Sequence, residues 1–449
     1  MKQRKFLNTK VWSVLTGVTG LLAIAGFVGT QLCRVYASSA LNMTFGTSDF
    51  KKVDLPNAEK KTFFKSDYDD VNGDLLFSED TDIIKEVEGE GATLLWNKED
   101  TLPLEKDSKI SCFSHSSVDL VETGSGSGYV TSVSQANPNK SESVDLKTAL
   151  EEDGGFTVNP KLWAFYKTGA GSKYTRTNPK ASCTEGQKWK VNEVPQSAYT
   201  SEVKNSYSEY DDCAIIVISR SGGEYSDLHY SNTEESETKG NYLALTDEEK
   251  AMFANIRSLK ENGTFKKTVL LLNTANPIML DEFEKEYFSS IDACLWIGQV
   301  GTSGARGVAE ILAGNINPSG RLTDTYAYNL EAFPSTVNDG SYQYGGDCSG
   351  LNEQGNGIYR QRMYMAYQED IYVGYRYMET RYEDYVLGQN NASSTSGVKA
   401  SSSEWNYSEE VAFPFGYGLS YTDFSYSGYE VKETKDGYDV SLTVKNEGN

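Results

Sequence analysis

The first stretch whose residue types suggest chemistry is CAIIVISRSGGEYSDLHY, residues 213–230. An apolar run ends there in two glycines, and Glu224 follows them directly. Glycine lets the backbone turn sharply and leaves room for a ligand. A carboxylate on a loop beyond a buried strand suits general acid or base catalysis. Glu224 is therefore the candidate general acid/base. A chain with 64 acidic residues also offers the simpler interpretation of a solvated surface carboxylate.

Two further features near this stretch invite the same question. The sequence GSGSG at 124–128 is a glycine-rich loop, but it lacks the Gly-Lys-Ser/Thr of a phosphate-binding loop, and a plain surface loop is the alternative. His229 is positioned in the chain to contact a substrate, although a lone loop histidine is usually only exposed. With two histidines and no Cys-x-x-Cys pair, a zinc site is not predicted. We expect neither a metal nor an organic cofactor, and substrate-binding residues cannot be assigned.

Short apolar runs separated by helical patterns predict the elements that position these loops. The predicted strands are KISCFS at 109–114, CAIIVIS at 213–219, KTVLLLN at 267–273 and ACLWIG at 293–298. Three helices are predicted. The first is TDIIKEVEGEGATLLWN, which ends near Asn97, and the last is SGARGVAEILAG at 303–314. Between them, a helix capped by Thr246 and Glu249 runs to about Leu259. This alternation is typical of an α/β fold with a mostly parallel sheet, placed here at residues 81–385. Ligands of such sheets bind beyond the carboxyl ends of the strands, where Glu224 lies.

The two ends of the chain have other patterns. Residues 11–33 carry no charge and follow a basic cluster, which predicts a transmembrane anchor after a cytoplasmic tail, residues 1–35, with the body exported. A cleaved signal peptide, with small residues at 37–40, is the alternative. Residues 36–80 are interpreted as an extension. Residues 426–449 alternate polar and apolar residues around an Asp-Gly turn, which predicts the start of an all-β module.

The overall charge limits the class of partner. The formal net charge is -22 and the sequence pI is about 4.6. Such a surface repels phosphate backbones, so we expect no nucleic-acid partner.

Several stretches, taken in order, resemble glycoside hydrolase family 3. EGATLLWNKEDTLPL, CAIIVISRSGGEYSD and LALTDEEKAMFANI are similar to segments of its C-terminal α/β sandwich domain. The match continues with VLLLNTANPIML, the run ending in NPSGRL, IYVGYRYMET and FPFGYGLSYTDF. The last lies in residues 386–425, which we interpret as a linker to residues 426–449. Those residues resemble the start of the fibronectin type III-like module of the family.

The resemblance implies a β-glucosidase-like enzyme that hydrolyses a glycoside or oligosaccharide with retention of configuration. Two carboxyl groups about 5 Å apart carry that reaction. In the family the acid/base of many members lies on the loop that matches Glu224, with Glu234, Glu235 and Glu237 as rivals here. The loop departs from the common GEGxDR form, since Tyr225-Ser226-Asp227 follows Glu224.

The family nucleophile is an Asp on a (β/α)8 barrel, and no nucleophile is assigned in this chain. We expect a fragment of a member with inverted domain order, whose barrel follows the β module. The fragment alone is then expected to be inactive. The alternatives are a non-catalytic cell-surface carbohydrate-binding or interaction module, and an unrelated α/β enzyme that uses the GSGSG loop.

Overall fold

The computed structural model describes residues 9–32, 73–129, 143–180, 189–224, 228, 241–281, 283–338, 342–343, 363–364, 366–389, 391, 397 and 404–448. The chain divides into two compact units, residues 1–71 and 72–449. In the first unit, the described residues form one helix, α1 (Thr9–Leu32). Its 22-residue stretch Lys10–Gln31 contains an 18-residue window with a mean hydropathy of 1.9, which suffices to cross a membrane and also fits a signal sequence. The predicted N-terminal apolar helix is thus confirmed.

The described part of the second unit alternates strands and helices. Its strands are β1 (Thr93–Asn97), β2 (Lys109–Phe113), β3 (Thr157–Val158), β4 (Cys213–Arg220), β5 (Lys267–Thr274), β6 (Ala293–Trp296), β7 (Tyr326–Ala327), β8 (Tyr342–Gln343), β9 (Met363–Tyr364), β10 (Val411–Phe413), β11 (Phe424–Thr434) and β12 (Gly437–Asn446). Its helices are α2 (Gly73–Gly91), α3 (Leu146–Glu152), α4 (Pro160–Lys167), α5 (Ser201–Ser206), α6 (Asp247–Glu261), α7 (Ala305–Leu312), α8 (Pro334–Asn338), α9 (Tyr375–Leu387) and α10 (Tyr407–Glu410).

A mixed, mostly parallel sheet forms the centre of this unit. Within the described residues it has six strands in the order β1-β6-β5-β4-β2-β3. The neighbouring strands β3, β2, β4, β5 and β6, in this order across the sheet, pair in parallel. Strand β1 pairs antiparallel with β6. The four strands predicted from the sequence are β2, β4, β5 and β6, and each is confirmed. The parallel strands bring their carboxyl ends to one edge of the sheet.

The segment before the sheet corrects one prediction. The helix expected to run to near Asn97 ends at Gly91, and Thr93–Asn97 is strand β1. Leu94 and Leu95 are both fully buried, as in a strand covered on its two faces. Pairing with β6, from Thr93 opposite Trp296 to Asn97 opposite Ala293, overrides the apparent helical rhythm. The helix also begins at Gly73, so it spans the expected domain boundary at residue 81.

The core lies on both faces of β4 and β5. All eight residues of β4 are buried, and Ile215, Ile216, Leu270 and Leu271 have no exposed surface. Burying each such side chain contributes about 1.5–3 kcal/mol. Helix α6 covers this sheet, and it starts with the predicted capping box, in which Thr246 and Glu249 exchange side-chain and backbone hydrogen bonds.

The C-terminal segment joins the body before it forms a hairpin. The Leu419 backbone N–H donates to the Leu94 carbonyl at 2.8 Å, and the Tyr421 hydroxyl donates to the Ile311 carbonyl at 2.8 Å. Strands β11 and β12 then pair antiparallel up to Thr434 opposite Gly437, so the predicted hairpin turn is confirmed. Its membership of a fibronectin type III-like module stays a prediction.

Candidate active site

Glu224 lies on the loop that follows β4, beyond the carboxyl edge of the sheet. The strand ends at Arg220. The next two residues, Ser221 and Gly222, are still buried, whereas the side chain of Glu224 is exposed. The structure therefore places Glu224 on an exposed loop after β4, as the sequence predicted. His229, Asp227 and the rival carboxylates Glu234, Glu235 and Glu237 lie outside the described residues.

The two glycine-rich loops are in direct contact. Ser125 of the GSGSG loop forms a parallel bridge with Gly223. The Ser125 N–H donates to the Gly222 carbonyl at 3.2 Å, and the Glu224 N–H donates to the Ser125 carbonyl at 3.3 Å. The Ser127 N–H donates to Glu224 Oε2 at 2.7 Å. The GSGSG loop thus packs directly against the loop that carries the candidate residue Glu224.

Gly223 is required by the close approach of these loops. A Cβ atom at this position would lie 2.1 Å from the Ser125 backbone nitrogen, far inside van der Waals contact. The neighbouring Gly222 would meet the Asn276 side chain only at 3.5 Å. The second of the two glycines therefore lets the loops come together, and this answers why Gly-Gly precedes the carboxylate.

Arg220 supports the loop rather than a ligand. Its guanidinium is fully buried and donates to both carboxylate oxygens of Glu249 at 2.8 Å. It also donates to the carbonyls of Tyr242 and Ala244. Burial by itself lowers the pKa of Arg220, but the Glu249 carboxylate outweighs this effect and raises it. This permanent cation fixes the end of β4 to the chain that enters α6.

A second buried arginine stands behind the glycine loops. The Arg176 Nε donates to the Ser221 hydroxyl at 3.3 Å, and its Nη1 forms an ion pair with Asp119 Oδ2 at 3.2 Å. Burial lowers the pKa of Arg176. Sequence reasoning missed this residue, because KYTRTNPK carries no periodicity or motif that signals a buried cation.

A polar cavity of about 360 Å³ borders the GSGSG loop on the Arg176 side. Asp119, Glu122, Lys167, Arg176 and Tyr129 are among its lining residues. Burial raises the pKa of Glu122. With Asp145 the lining holds three carboxylates and two cations, so its formal charge is close to balanced.

Taken together, the described residues define an α/β domain that presents a carboxylate-bearing loop at the carboxyl edge of a mostly parallel sheet. The model of the glycosyl hydrolase family 3 C-terminal domain matches residues 92–375. The chain belongs to glycosyl hydrolase family 3, as the resemblance in its sequence implied.

Proteins similar to this chain include β-glucosidases. The chain is 32% identical over 368 residues to a β-glucosidase of Ruminococcus albus, covering 81% of this chain and 30% of that protein. It is 29% identical over 358 residues to β-glucosidase A of Butyrivibrio fibrisolvens, covering 76% of this chain and 35% of that protein. The chain thus spans about a third of the length of these curated relatives.

A solved structure supports the same fold. β-Glucosidase 3B from Thermotoga neapolitana, in complex with α-D-glucose, superimposes with a TM-score of 0.57 at 26% identity. The match covers 83% of this chain and 42% of that chain.

Proposed function

We propose that this chain carries the acid/base half of a retaining β-glycosidase active site, with Glu224 as the general acid and base. The observation that carries the proposal is the exposed Glu224 carboxylate, held on the loop beyond β4 in a member of glycosyl hydrolase family 3. Such a position lets a proton pass between the carboxyl group and a substrate seated above the edge of the sheet.

The reaction proceeds in two balanced steps. In the first, a carboxylate nucleophile attacks the anomeric carbon, the glycosidic C–O bond breaks, and protonated Glu224 gives its proton to the departing oxygen. In the second, water attacks the anomeric carbon of the glycosyl-enzyme, gives its proton to the Glu224 carboxylate, and releases the nucleophile. Glu224 ends protonated, ready for the next cycle.

The nucleophile comes from outside the described residues. The proposed partner is a (β/α)8 barrel domain, either elsewhere in a longer form of this protein or on a separate chain. Support comes from the length of the relatives, because this chain covers 30–36% of the first three curated β-glucosidases. A β-glucoside is the proposed substrate, since those relatives are named β-glucosidases and the Thermotoga protein was solved with glucose.

The proposed site of action is outside the cytoplasm. Four basic residues precede or open the apolar stretch Lys10–Gln31, which keeps the N-terminus inside and sends the rest of the chain across. We propose that the helix stays as a single-pass anchor, with the catalytic body on the outer surface.

The test is the substitution Glu224→Ala in the enzyme that includes the barrel. We expect turnover to fall about 10²- to 10⁴-fold on alkyl glucosides, which are poor leaving groups that need a proton. The loss should be much smaller on dinitrophenyl glucoside, whose leaving group needs none. Steady-state kinetics on both substrates measure this difference.

The matched control is Glu202→Ala, which removes an exposed carboxylate on α5 with 74% of its side-chain surface accessible. It should leave turnover on both substrates at the wild-type value. Normal turnover of Glu224→Ala on alkyl glucosides would contradict the assignment of Glu224.

A further inference from the structure

The GSGSG loop meets the carboxylate of Glu224 through a backbone donor rather than a side chain. The Ser127 N–H lies 2.7 Å from Glu224 Oε2, a short distance for an amide and a carboxylate. Glu224 forms a second hydrogen bond with this loop, because its backbone N–H donates to the Ser125 carbonyl. Backbone and side chain of Glu224 are therefore both fixed by residues 125–127, and the role inferred below rests on the proposed function of Glu224.

The donor itself is held in place from the other side. The Gly126 N–H donates to the Lys180 carbonyl at 3.0 Å, and the Lys180 N–H donates to the Ser125 hydroxyl at 3.2 Å. The Ser125 N–H donates to the Gly222 carbonyl at 3.2 Å. These bonds anchor the loop between two neighbouring segments and fix the direction of the Ser127 amide.

An amide N–H can donate a hydrogen bond but cannot accept one. The carboxyl oxygen that it contacts must therefore act as an acceptor in both protonation states of Glu224. A protonated carboxyl oxygen keeps lone pairs, but it accepts a hydrogen bond less strongly than the carbonyl oxygen of the acid form. The proton of the acid form consequently belongs on the other carboxyl oxygen.

We propose that the Ser127 backbone amide is a positioning group for Glu224, which selects the carboxyl oxygen that delivers and collects the proton during glycoside hydrolysis. The oxygen bonded to the amide orients the group. The opposite oxygen gives its proton to the glycosidic oxygen as the C–O bond breaks, and receives one from water in the second step.

The two buried arginines beside the contacting loops are engaged in ion pairs. Arg176 pairs with Asp119, and Arg220 pairs with Glu249. Lys180 holds the GSGSG loop through its backbone, and Glu122 lines the cavity beside the loop. The Ser127 amide is thus a backbone donor that the structure brings directly to the Glu224 side chain.

The first experiment follows the Ser127 amide by NMR in the full 449-residue chain, in detergent micelles and with ¹⁵N-serine labelling. The Ser127 peak is assigned by its loss in Ser127→Ala. We expect its proton resonance to move downfield in one titration as Glu224 loses its proton, because the bond to a carboxylate is stronger. The titration should vanish in Glu224→Gln. An amide shift that ignores pH, or titrates equally in Glu224→Gln, would overturn the proposal.

The second experiment measures kcat/KM in the enzyme that includes the barrel. Ser127→Pro removes the N–H and should lower kcat/KM on alkyl glucosides about tenfold or more, with its alkaline limb moved to higher pH. Ser127→Ala keeps the N–H, so its loss should be at least about fivefold smaller. Equal losses in the two variants, with unmoved pH profiles, would contradict the positioning role.

The two proposals fail differently. If Glu224 is not the acid/base, Glu224→Ala keeps its turnover on alkyl glucosides while the Ser127 amide still titrates with Glu224. If only the positioning role is wrong, Glu224→Ala loses turnover and the amide does not titrate. The NMR measurement also needs no proline variant, so a folding failure of Ser127→Pro leaves the proposal falsifiable.

Discussion

Glu193 is a buried residue that contacts the chain just after β2, and 4% of its surface is exposed. It accepts hydrogen bonds from the Ser114 hydroxyl and from the backbone N–H groups of His115 and Val194. Burial nevertheless raises the pKa of Glu193 to about 7, because desolvation outweighs these bonds. Ser114, which donates to Glu193, has a φ of 79°, a conformation that non-glycine residues rarely adopt.

This raised pKa predicts a pH-dependent stability. The folded chain keeps a proton on Glu193 up to a higher pH than the unfolded chain, in which the carboxyl group has its ordinary pKa of 4.5. The free energy of unfolding should therefore fall as the pH rises from about 4.5 to about 7, by a few kcal/mol at most, and then level off. Urea unfolding across this range measures the slope.

The matching variant is Glu193→Gln, which cannot titrate. We expect its stability to lack this part of the pH dependence, while Glu202→Gln on the surface keeps it. Parallel curves for the wild type and Glu193→Gln would rule out Glu193 as the source.

At the scale of elements, helices α2 and α7 pack backbone to backbone. A Cβ atom at Gly307 would lie 2.6 Å from the Lys85 carbonyl oxygen and 2.9 Å from the Gly89 nitrogen. The two helix backbones can approach this closely because Gly307 has no side chain. At Gly91, the last residue of α2, a Cβ atom would have no other atom within 4 Å.

These two glycines give a matched pair of substitutions. Gly307→Ala should destabilise the fold by about 1–3 kcal/mol, since the added methyl forces the helices apart. Gly91→Ala should be neutral or slightly stabilising, because alanine favours the helix and meets open space. Thermal and urea unfolding of both variants measure the difference, and equal effects would contradict close packing at Gly307.

At the scale of the whole molecule, the chain joins an acidic body to an apolar N-terminal helix. The net charge of -22 keeps the body in water, and the 22 residues of Lys10–Gln31 favour a bilayer. One end of the molecule thus prefers a different solvent from the rest.

This contrast predicts the behaviour of the expressed protein. The full chain should sediment with membranes and resist extraction at alkaline pH, and its body should be digested by protease added outside the cell. Removal of residues 1–35 should leave it in the soluble fraction. Mass spectrometry of the mature N-terminus decides the form, since a start near residues 37–40 would indicate a cleaved signal and contradict the anchor.

Much of the framework was predictable from local patterns. The β4 and β5 runs are continuously apolar because both faces of the strands are buried, and the capping box at Thr246 marks the start of α6 by its own chemistry. The helix through Asn97 was wrong, because pairing with a distant strand decides whether Thr93–Asn97 extends. Arg176 and Glu193 were not predicted, because burial of a charged side chain leaves no periodic signal.

The sequence by itself determined the α/β class, the family and the N-terminal apolar helix, and it proposed Glu224 as a candidate, since apolar periodicity and short motifs are local properties of the chain. Only the tertiary structure decided that the two glycine-rich loops meet. Their contact joins Ser125 to Gly223, which lie far apart in the chain, and it depends on the order of β2 and β4 in the sheet. Chain separation hides such contacts, because they form only when parallel strands bring their carboxyl ends to one edge.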